Sequence, residues 1–382
     1  MNCYHVPTKI YHGEEALKSL ATLDMKQVFV ICDPFMEKSG MVCQVTQQLE
    51  QLNVPYTVFS NIIPDPTIEI VSEGIEQLKQ VVPDTIIAFG GGSAIDAAKA
   101  IGQIYHQMNP TTSKLQFVAI PTTSGTGSEV TSFAVITDNQ TKTKYPLVDD
   151  AMLPDVAILD PKFVVSVPAN ITADTGMDVL THSFEAYVST IASIFSDACA
   201  EKAIKLVWSS LVDATKNGQD LEKRELMHDA SCLAGIAFNH ASLGICHSLA
   251  HAVGARFHIP HGRANAMLLP HVIAYNAGLD LSYDTPALER YAQIAHLVGI
   301  QAGTKRATVH LLISGLYRMM KQMNIPKDVI EFGIDPQEFI EAIPDMAKRA
   351  LADNCTPTNP RVPTQKDLEM IYGELCRKGQ LL

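Results

Sequence analysis

The sequence predicts an α/β domain with a parallel sheet and a dinucleotide site over residues 1–168, then an all-helical, metal-binding and catalytic domain over 169–382. Three observations carry this. Short apolar runs alternate with helix-period segments through the first part, the pattern of a parallel sheet with helices on both faces. One of those runs ends in Gly90-Gly91-Gly92-Ser93 and leads straight into a helical pattern. After Pro168 the β-branched runs thin out and long helical patterns take over. A chain of 382 residues also exceeds what a single core usually holds, so two domains are expected.

In order along the chain, QVFVICD (27–33) reads as a buried strand, with a helix through MVCQVTQQLEQL after it. YTVFS (56–60) is a second strand, and a helix near IEIVSEGIEQLKQVV follows the PDP turn. TIIAFG (85–90) is a third, running into the glycines and the helical AIDAAKAIGQIY. FVAIPTT (117–123) and VAILDP (156–161) are further strands, and TSFAVITDNQTKTKYPLVDD reads as a hairpin turning at Asp138–Gln140. The second part is expected to contain the helices DVLTHSFEAYVSTIA, FSDACAEKAIKLVWSSLVDA, KRELMHDASCLAGIAFNHA and ICHSLAHAVGARF.

Composition narrows the function classes. The chain is 47 % hydrophobic and 18 % charged, ordinary for a globular protein. Its formal charge of −12 sets aside nucleic acid and anionic membrane as partners, since both reward basic patches. No apolar run reaches the roughly 18–20 residues that span a bilayer, and the N-terminus lacks a basic segment leading into an apolar one. Eight scattered cysteines without a CxxC pair suggest reduced thiols in a cytoplasm.

The glycine run sits where a strand gives way to a helix. Glycines let the backbone approach a pyrophosphate, and a helix N-terminus offers free N–H groups and a positive dipole end. An ordinary turn is the alternative, and GxGxxG is absent. PTTSGTGSE (121–129) is a second loop after a strand, rich in hydroxyls that suit phosphates or a nicotinamide amide. Asp33 ends the first strand, where a carboxylate accepts from an adenosine ribose 2′-OH and repels a 2′-phosphate, favouring NAD over NADP. It reads equally well as a turn residue before Pro34. Lys144 offers a charge to a phosphate, or is simply solvated.

Asp178 and His182 lie four apart in GMDVLTH and so share one helix face. His247 opens HSLAHAVGARFHIPHG, with His251 one turn on and His261 between Pro260 and Gly262. One carboxylate and three imidazoles suit a divalent first-row metal, Fe(II) or Zn(II). Cys246 adjoins His247 but points about 100° away on a helix, so it reads as packing.

FGGGSAIDAAKA, IPTTSGTGSEVT, TGMDVLTHSFEAYVS and GICHSLAHAVGARFHIPHGRANAMLLP, in this order, resemble the iron-dependent (group III) alcohol dehydrogenases over essentially the whole chain. The resemblance implies metal ligation by Asp178, His182, His247 and His261. It implies a catalytic proton-relay role for His251, which matches the family's non-ligand histidine near the substrate. Gly91, Gly92 and Ser93 match the pyrophosphate loop, Thr122, Thr123 and Thr126 the second nucleotide loop, Asp33 the acidic position associated with NAD, and Lys144 a cofactor-contacting lysine. Asp65, where some relatives have Asn, puts a minor cofactor contact in doubt.

Within the family, FVICDPF, PDPTI, KYPL and ITADTGMDVLTH look most like the propanol dehydrogenases of propanediol utilisation. That likeness implies an NAD(H)-dependent enzyme carrying Fe2+, with Zn2+ as the alternative, that reduces propionaldehyde to 1-propanol and regenerates NAD⁺. Its partners would be a small aldehyde or alcohol, a second copy of itself in a homodimer or larger homo-oligomer, and a microcompartment shell protein. It would work in the cytoplasm, within a bacterial microcompartment. Ethanolamine-pathway alcohol dehydrogenase, lactaldehyde reductase and 1,3-propanediol dehydrogenase are the neighbouring readings. A dehydroquinate synthase-like lyase and a non-enzymatic microcompartment protein are the more distant ones.

Overall fold

The computed structural model describes residues 3–110, 114–140 and 143–376. It divides into two compact units, Met1–Ser166 and Val167–Leu382.

In the first unit the strands β1 (Lys9–His12), β2 (Val28–Cys32), β3 (Tyr56–Phe59), β4 (Thr85–Gly90), β5 (Gln116–Pro121) and β8 (Val156–Leu159) form one sheet. Its order is β1-β8-β5-β4-β2-β3 and every pairing is parallel. β2, β4 and β8 are buried along their whole length, which is why they read as unbroken apolar runs. Successive residues face opposite layers. Phe29, Ile31, Ile86 and Ala88 join one core, and Val28, Val30, Ile87 and Phe89 join the other. The helices α1 (Pro34–Lys38), α2 (Cys43–Gln51), α3 (Ile68–Val81) and α4 (Gly92–Met108) connect these strands. β6 (Phe133–Asp138) and β7 (Thr143–Val148) make the expected antiparallel hairpin; part of its tip lies outside the described residues. β1 is an edge strand that the sequence did not announce, because KIYH carries neither a continuous apolar run nor a buried face.

The sheet order fixes where ligands can bind. From β2 the chain goes first to β3 on one side and then to β4 on the other, so the direction of winding reverses between β2 and β4. Open α/β sheets bind ligands at such a switch point, beyond the carboxyl ends of the strands. Cys32 is in register with Phe89, and Gly90 with Pro121. Asp33, the glycine turn and Thr122 therefore emerge side by side.

The second unit is helical throughout its described residues: α5 (Ala169–Val188), α6 (Ile194–Lys216), α7 (Leu221–Ala241), α8 (Ile245–Phe257), α9 (His261–Asn276), α10 (Pro286–Leu297), α11 (Lys305–Gln322), α12 (Val329–Phe332), α13 (Pro336–Leu351) and α14 (Gln365–Glu374). From Thr172 to Val188, α5 is buried at all positions but Thr175. A helix buried all round is central to its domain, so each polar side chain on it needs a partner. Among the described residues no helix is long and apolar enough to cross a membrane.

Candidate functional site

Asp178 and His182 stand on α5, His247 at the third position of α8, and His261 at the first of α9. The structure brings these four together: one donor atom from each lies within 4.8 Å of the others. Close contact of α9 with α5 is needed for this. A Cβ at Gly262 would come within 2.1 Å of the Asp174 carbonyl oxygen, so the residue after His261 has no room for a side chain. The His182 ring lies between Phe238 and His247, each with its ring centroid 4.6 Å away.

The chemistry of the cluster fits a cation. Asp178 Oδ1 lies 3.6 Å from His247 Nε2 and 3.4 Å from His261 Nε2. One donor reaches into this group, Asn265 Nδ2, at 2.7 Å from Asp178 Oδ1 and 3.2 Å from each of the two imidazole nitrogens. An amide has two hydrogens to give, and three acceptors meet it. Lone pairs outnumber protons, as in a divalent metal site. Burial pushes His182 down to about 4, against the pull of Asp178, so it is neutral and able to ligate at neutral pH. Burial alone would raise Asp178, but the surrounding imidazoles of His182, His261 and His247 hold it well below the carboxylate range. Burial would lower His247, but the carboxylates of Asp178 and Glu185, one beside each ring nitrogen, carry it up to about 9, so a cation entering the cluster would take the place of the proton on Nε2.

His251 lies beside this group, its ring stacked 5.4 Å from that of His261. Its Nδ1 is 2.9 Å from Asp353 Oδ2, and its side chain is 45 % exposed. Burial would raise Asp353, yet the bond and charge of His251 bring it down to about 2. Phe238 stacks on His182. Leu249 belongs to the helical core, with Phe257 packed against it.

In the first unit the nucleotide candidates also converge. Asp33 Oδ1 caps α1, accepting from Phe35 N at 2.8 Å and Met36 N at 3.1 Å. Its Oδ2 lies 3.6 Å from where a Cβ of Gly90 would stand, so the turn role and a place beside the glycines coexist. Thr122 N donates to Gly90 O at 3.0 Å, while the Thr122 hydroxyl is buried without a partner. A Cβ at Gly91 would meet Thr123 at 3.3 Å, and one at Gly92 would meet Thr126 at 2.8 Å. Gly92 and Ser93 form the first turn of α4, which has no side-chain cap. Bare glycines, an uncapped helix start and an orphaned hydroxyl fit a bound pyrophosphate. Lys144 Nζ pairs with Asp65 Oδ1 at 2.6 Å, both side chains exposed.

Two family models cover the chain. "Iron-containing alcohol dehydrogenase" matches residues 7–161, and "Fe-containing alcohol dehydrogenase family, C-terminal" matches 172–376. The chain belongs to the iron-containing alcohol dehydrogenase family. It is similar to the 1-propanol dehydrogenase PduQ of Citrobacter freundii, 46 % identical over 98 % of this chain and 100 % of that protein. The NADPH-dependent butanol dehydrogenase of Clostridium saccharobutylicum is 41 % identical over 97 % of this chain and 96 % of its own. Among solved structures, 1,3-propanediol oxidoreductase matches with a TM-score of 0.89 at 33 % identity, covering 98 % of this chain and 100 % of that one. The alcohol dehydrogenase from Oenococcus oeni matches at 0.90 and 32 %, with the same coverage. An iron-containing alcohol dehydrogenase is an oxidoreductase acting on CH–OH, which sets aside the lyase and the non-enzymatic readings.

Three residues at these sites went unread in the sequence of this iron-containing alcohol dehydrogenase. Glu185 and Asn265 had a signal: Glu185 follows Asp178 by seven residues, and Asn265 follows His261 by four, each on the face of its neighbour. Asp353 had none short of the fold.

Proposed function

We propose that this chain is an NAD(H)- and iron(II)-dependent alcohol dehydrogenase that reduces short aldehydes, propionaldehyde to 1-propanol above all, and so regenerates NAD⁺. The observation that carries the reading is the convergence of one carboxylate and three imidazoles inside a helical core. When bound, iron(II) supplies Lewis acidity toward a carbonyl oxygen and NADH supplies the hydride. Asp178, His182, His247 and His261 would hold the ion. One carboxylate and three neutral imidazoles offset only one of its two charges, so the site stays electrophilic. His251 holds the proton that the product alcohol needs. With Nδ1 tied to Asp353, its Nε2 is the atom left to give a proton up, and its exposed edge reloads from water. The glycine turn and the start of α4 receive the pyrophosphate, and Asp33 selects NAD(H) by repelling a 2′-phosphate.

The 46 % identity to 1-propanol dehydrogenase supports propionaldehyde. The 41 % identity to an NADPH-dependent butanol dehydrogenase supports a second reading, with a longer aldehyde and NADPH. Asp33 beside Gly90 weighs against its cofactor. The test is anaerobic oxidation of NADH and NADPH with propionaldehyde, butyraldehyde, acetaldehyde and lactaldehyde, on metal-free protein reconstituted with Fe(II) or Zn(II). Fe(II)-dependent turnover of NADH favouring propionaldehyde is expected. Turnover with Zn(II) alone overturns the iron assignment, and preference for NADPH with butyraldehyde establishes the second reading. We extend the proposal to a cytoplasmic homo-oligomer housed with a microcompartment shell, which the likeness of FVICDPF, PDPTI, KYPL and ITADTGMDVLTH to the propanol dehydrogenases of propanediol utilisation implies. Light scattering and co-sedimentation with purified shells test those two parts.

A further inference from the structure

Glu185 is 2 % exposed, on the face of α5 that also carries Asp178 and His182. A buried carboxylate needs donors on both oxygens, and two reach it. Cys246 N donates to Oε1 at 2.7 Å, and His247 Nδ1 lies 2.5 Å from Oε2. Cys246 is the second residue of α8, so the first bond satisfies one of the free N–H groups at that helix start, where Gly244 supplies no side-chain cap. Gly244 also leaves the space, since a Cβ there would stand 2.8 Å from Glu185 Oε1.

We infer that Glu185 is a positioning residue that fixes the tautomer of His247, holding the hydrogen on Nδ1 so that Nε2 presents its lone pair to the metal. The inference rests on the proposed metal site and adds a residue to it. A ligand imidazole whose other nitrogen is held by a carboxylate is locked in orientation and made more basic, and removing such a partner weakens metal binding. The backbone N–H of Cys246 is fixed as a donor, so one oxygen of Glu185 is committed to it. A carboxylate has a second acceptor for His247; an amide does not. In Glu185→Gln the amide oxygen keeps the bond to Cys246 N, and the NH₂ group then faces His247 Nδ1. That arrangement drives the ring hydrogen to Nε2, the atom that should ligate. The opposite amide orientation sets NH₂ against a backbone N–H. The substitution thus spares the helix cap and reverses the tautomer, which separates positioning from a merely structural role.

The experiment titrates metal-free wild type and E185Q with Co(II), followed by visible absorption, and measures the thermal midpoint of both metal-free proteins. The expected result is a Kd for Co(II) raised roughly 10- to 100-fold in E185Q, with the metal-free variant still unfolding in one cooperative transition. Equal Co(II) affinity in a folded E185Q overturns the inference and leaves the metal reading standing. A wild type that takes up no Co(II) overturns the metal reading and this inference with it. If E185Q does not fold, 15N NMR of Zn(II)-loaded wild type decides. A hydrogen on His247 Nδ1 is expected, and one on Nε2 overturns the assignment.

Discussion

Lys99 Nζ lies 2.9 Å from Ser128 Oγ, and the lysine is 1 % exposed. Its other donors go to Thr131 Oγ1 at 3.2 Å and Phe133 O at 2.7 Å, while Ser128 Oγ in turn donates to Asp96 Oδ1 at 2.6 Å. One ammonium on α4 thus ties down the stretch that follows Thr126 and leads into β6. Lys99→Met keeps the length of the chain but leaves half-buried Asp96 and buried Glu129 without a nearby cation. Leaving the partners of the ammonium, Ser128, Thr131 and Phe133 O, without their donor costs about 1–3 kcal/mol or more. Urea unfolding should show that loss, and a variant within about 1 kcal/mol of wild type would mean that the three charges are not coupled.

The same cluster predicts a pH dependence. Burial pushes Glu129 up from 4.5 to about 7. Between those values the folded chain holds a proton that the unfolded chain has released, so this residue makes stability fall as pH rises through that window. Burial pushes Lys99 down from 10.5 to about 8, against the charges of Asp96 and Glu129. From about 8 to 10.5 the unfolded chain binds the extra proton, and stability climbs with pH. Glu129→Gln removes the first slope only. Its stability relative to wild type should rise by roughly 3 kcal/mol between pH 4.5 and 7.5. Urea midpoints at half-unit steps check this, and a pH-independent difference contradicts it.

Parts of this fold lie near the surface of the sequence and parts do not. β2 and β4 are legible because burial on both faces leaves VFVIC and TIIAFG with nowhere to place a polar residue. β1 is hidden because an edge strand of four residues needs no such run. Asp178 and His182 declare themselves through helical spacing. Their meeting with His247 and His261 depends on how α5, α8 and α9 pack, and no period in the chain encodes it. The same holds for Asp353, 102 residues from the His251 it holds, and for Glu185, 62 residues from His247.

Gly92→Ala tests the phosphate cradle. The new methyl would stand 2.8 Å from Thr126 Cγ2 and 3.1 Å from its Oγ1, so a β-branched side chain must shift bodily. Overpacking of this kind costs about 1–3 kcal/mol, here drawn from the turn proposed to receive the cofactor. KM for NADH should rise about tenfold or more, with Co(II) affinity unchanged. An unaltered KM would place the dinucleotide elsewhere.

Asp33 carries two roles that substitution can separate. Serine is as good a helix N-cap as aspartate, so Asp33→Ser keeps the bonds to Phe35 N and Met36 N but removes the charge. Asp33→Ala removes both and should cost about 1 kcal/mol more in stability. If the carboxylate selects the cofactor, both variants raise NADPH efficiency relative to NADH by about tenfold or more. A ratio that stays at the wild-type value in D33S would leave Asp33 as a cap alone.

Asp353 is the residue through which His251 should be controlled. Its Oδ2 takes the Nδ1 side of the ring, and its Oδ1 accepts from Cys355 N at 2.9 Å and from Ser248 Oγ at 3.3 Å, so the carboxylate is itself held. His251→Gln removes a group able to give up a proton and should lower kcat by about 10²-fold or more. Asp353→Asn leaves the imidazole in place but frees its orientation, so a smaller loss of kcat is expected, with KM for NADH unchanged. Because proton delivery would then limit turnover, the solvent deuterium isotope effect on kcat should grow in D353N. It should also grow in H251Q, where water must supply the proton. An isotope effect that stays at the wild-type value in both, with kcat intact, would show that the product alkoxide is protonated by another route and that the His251–Asp353 pair is structural.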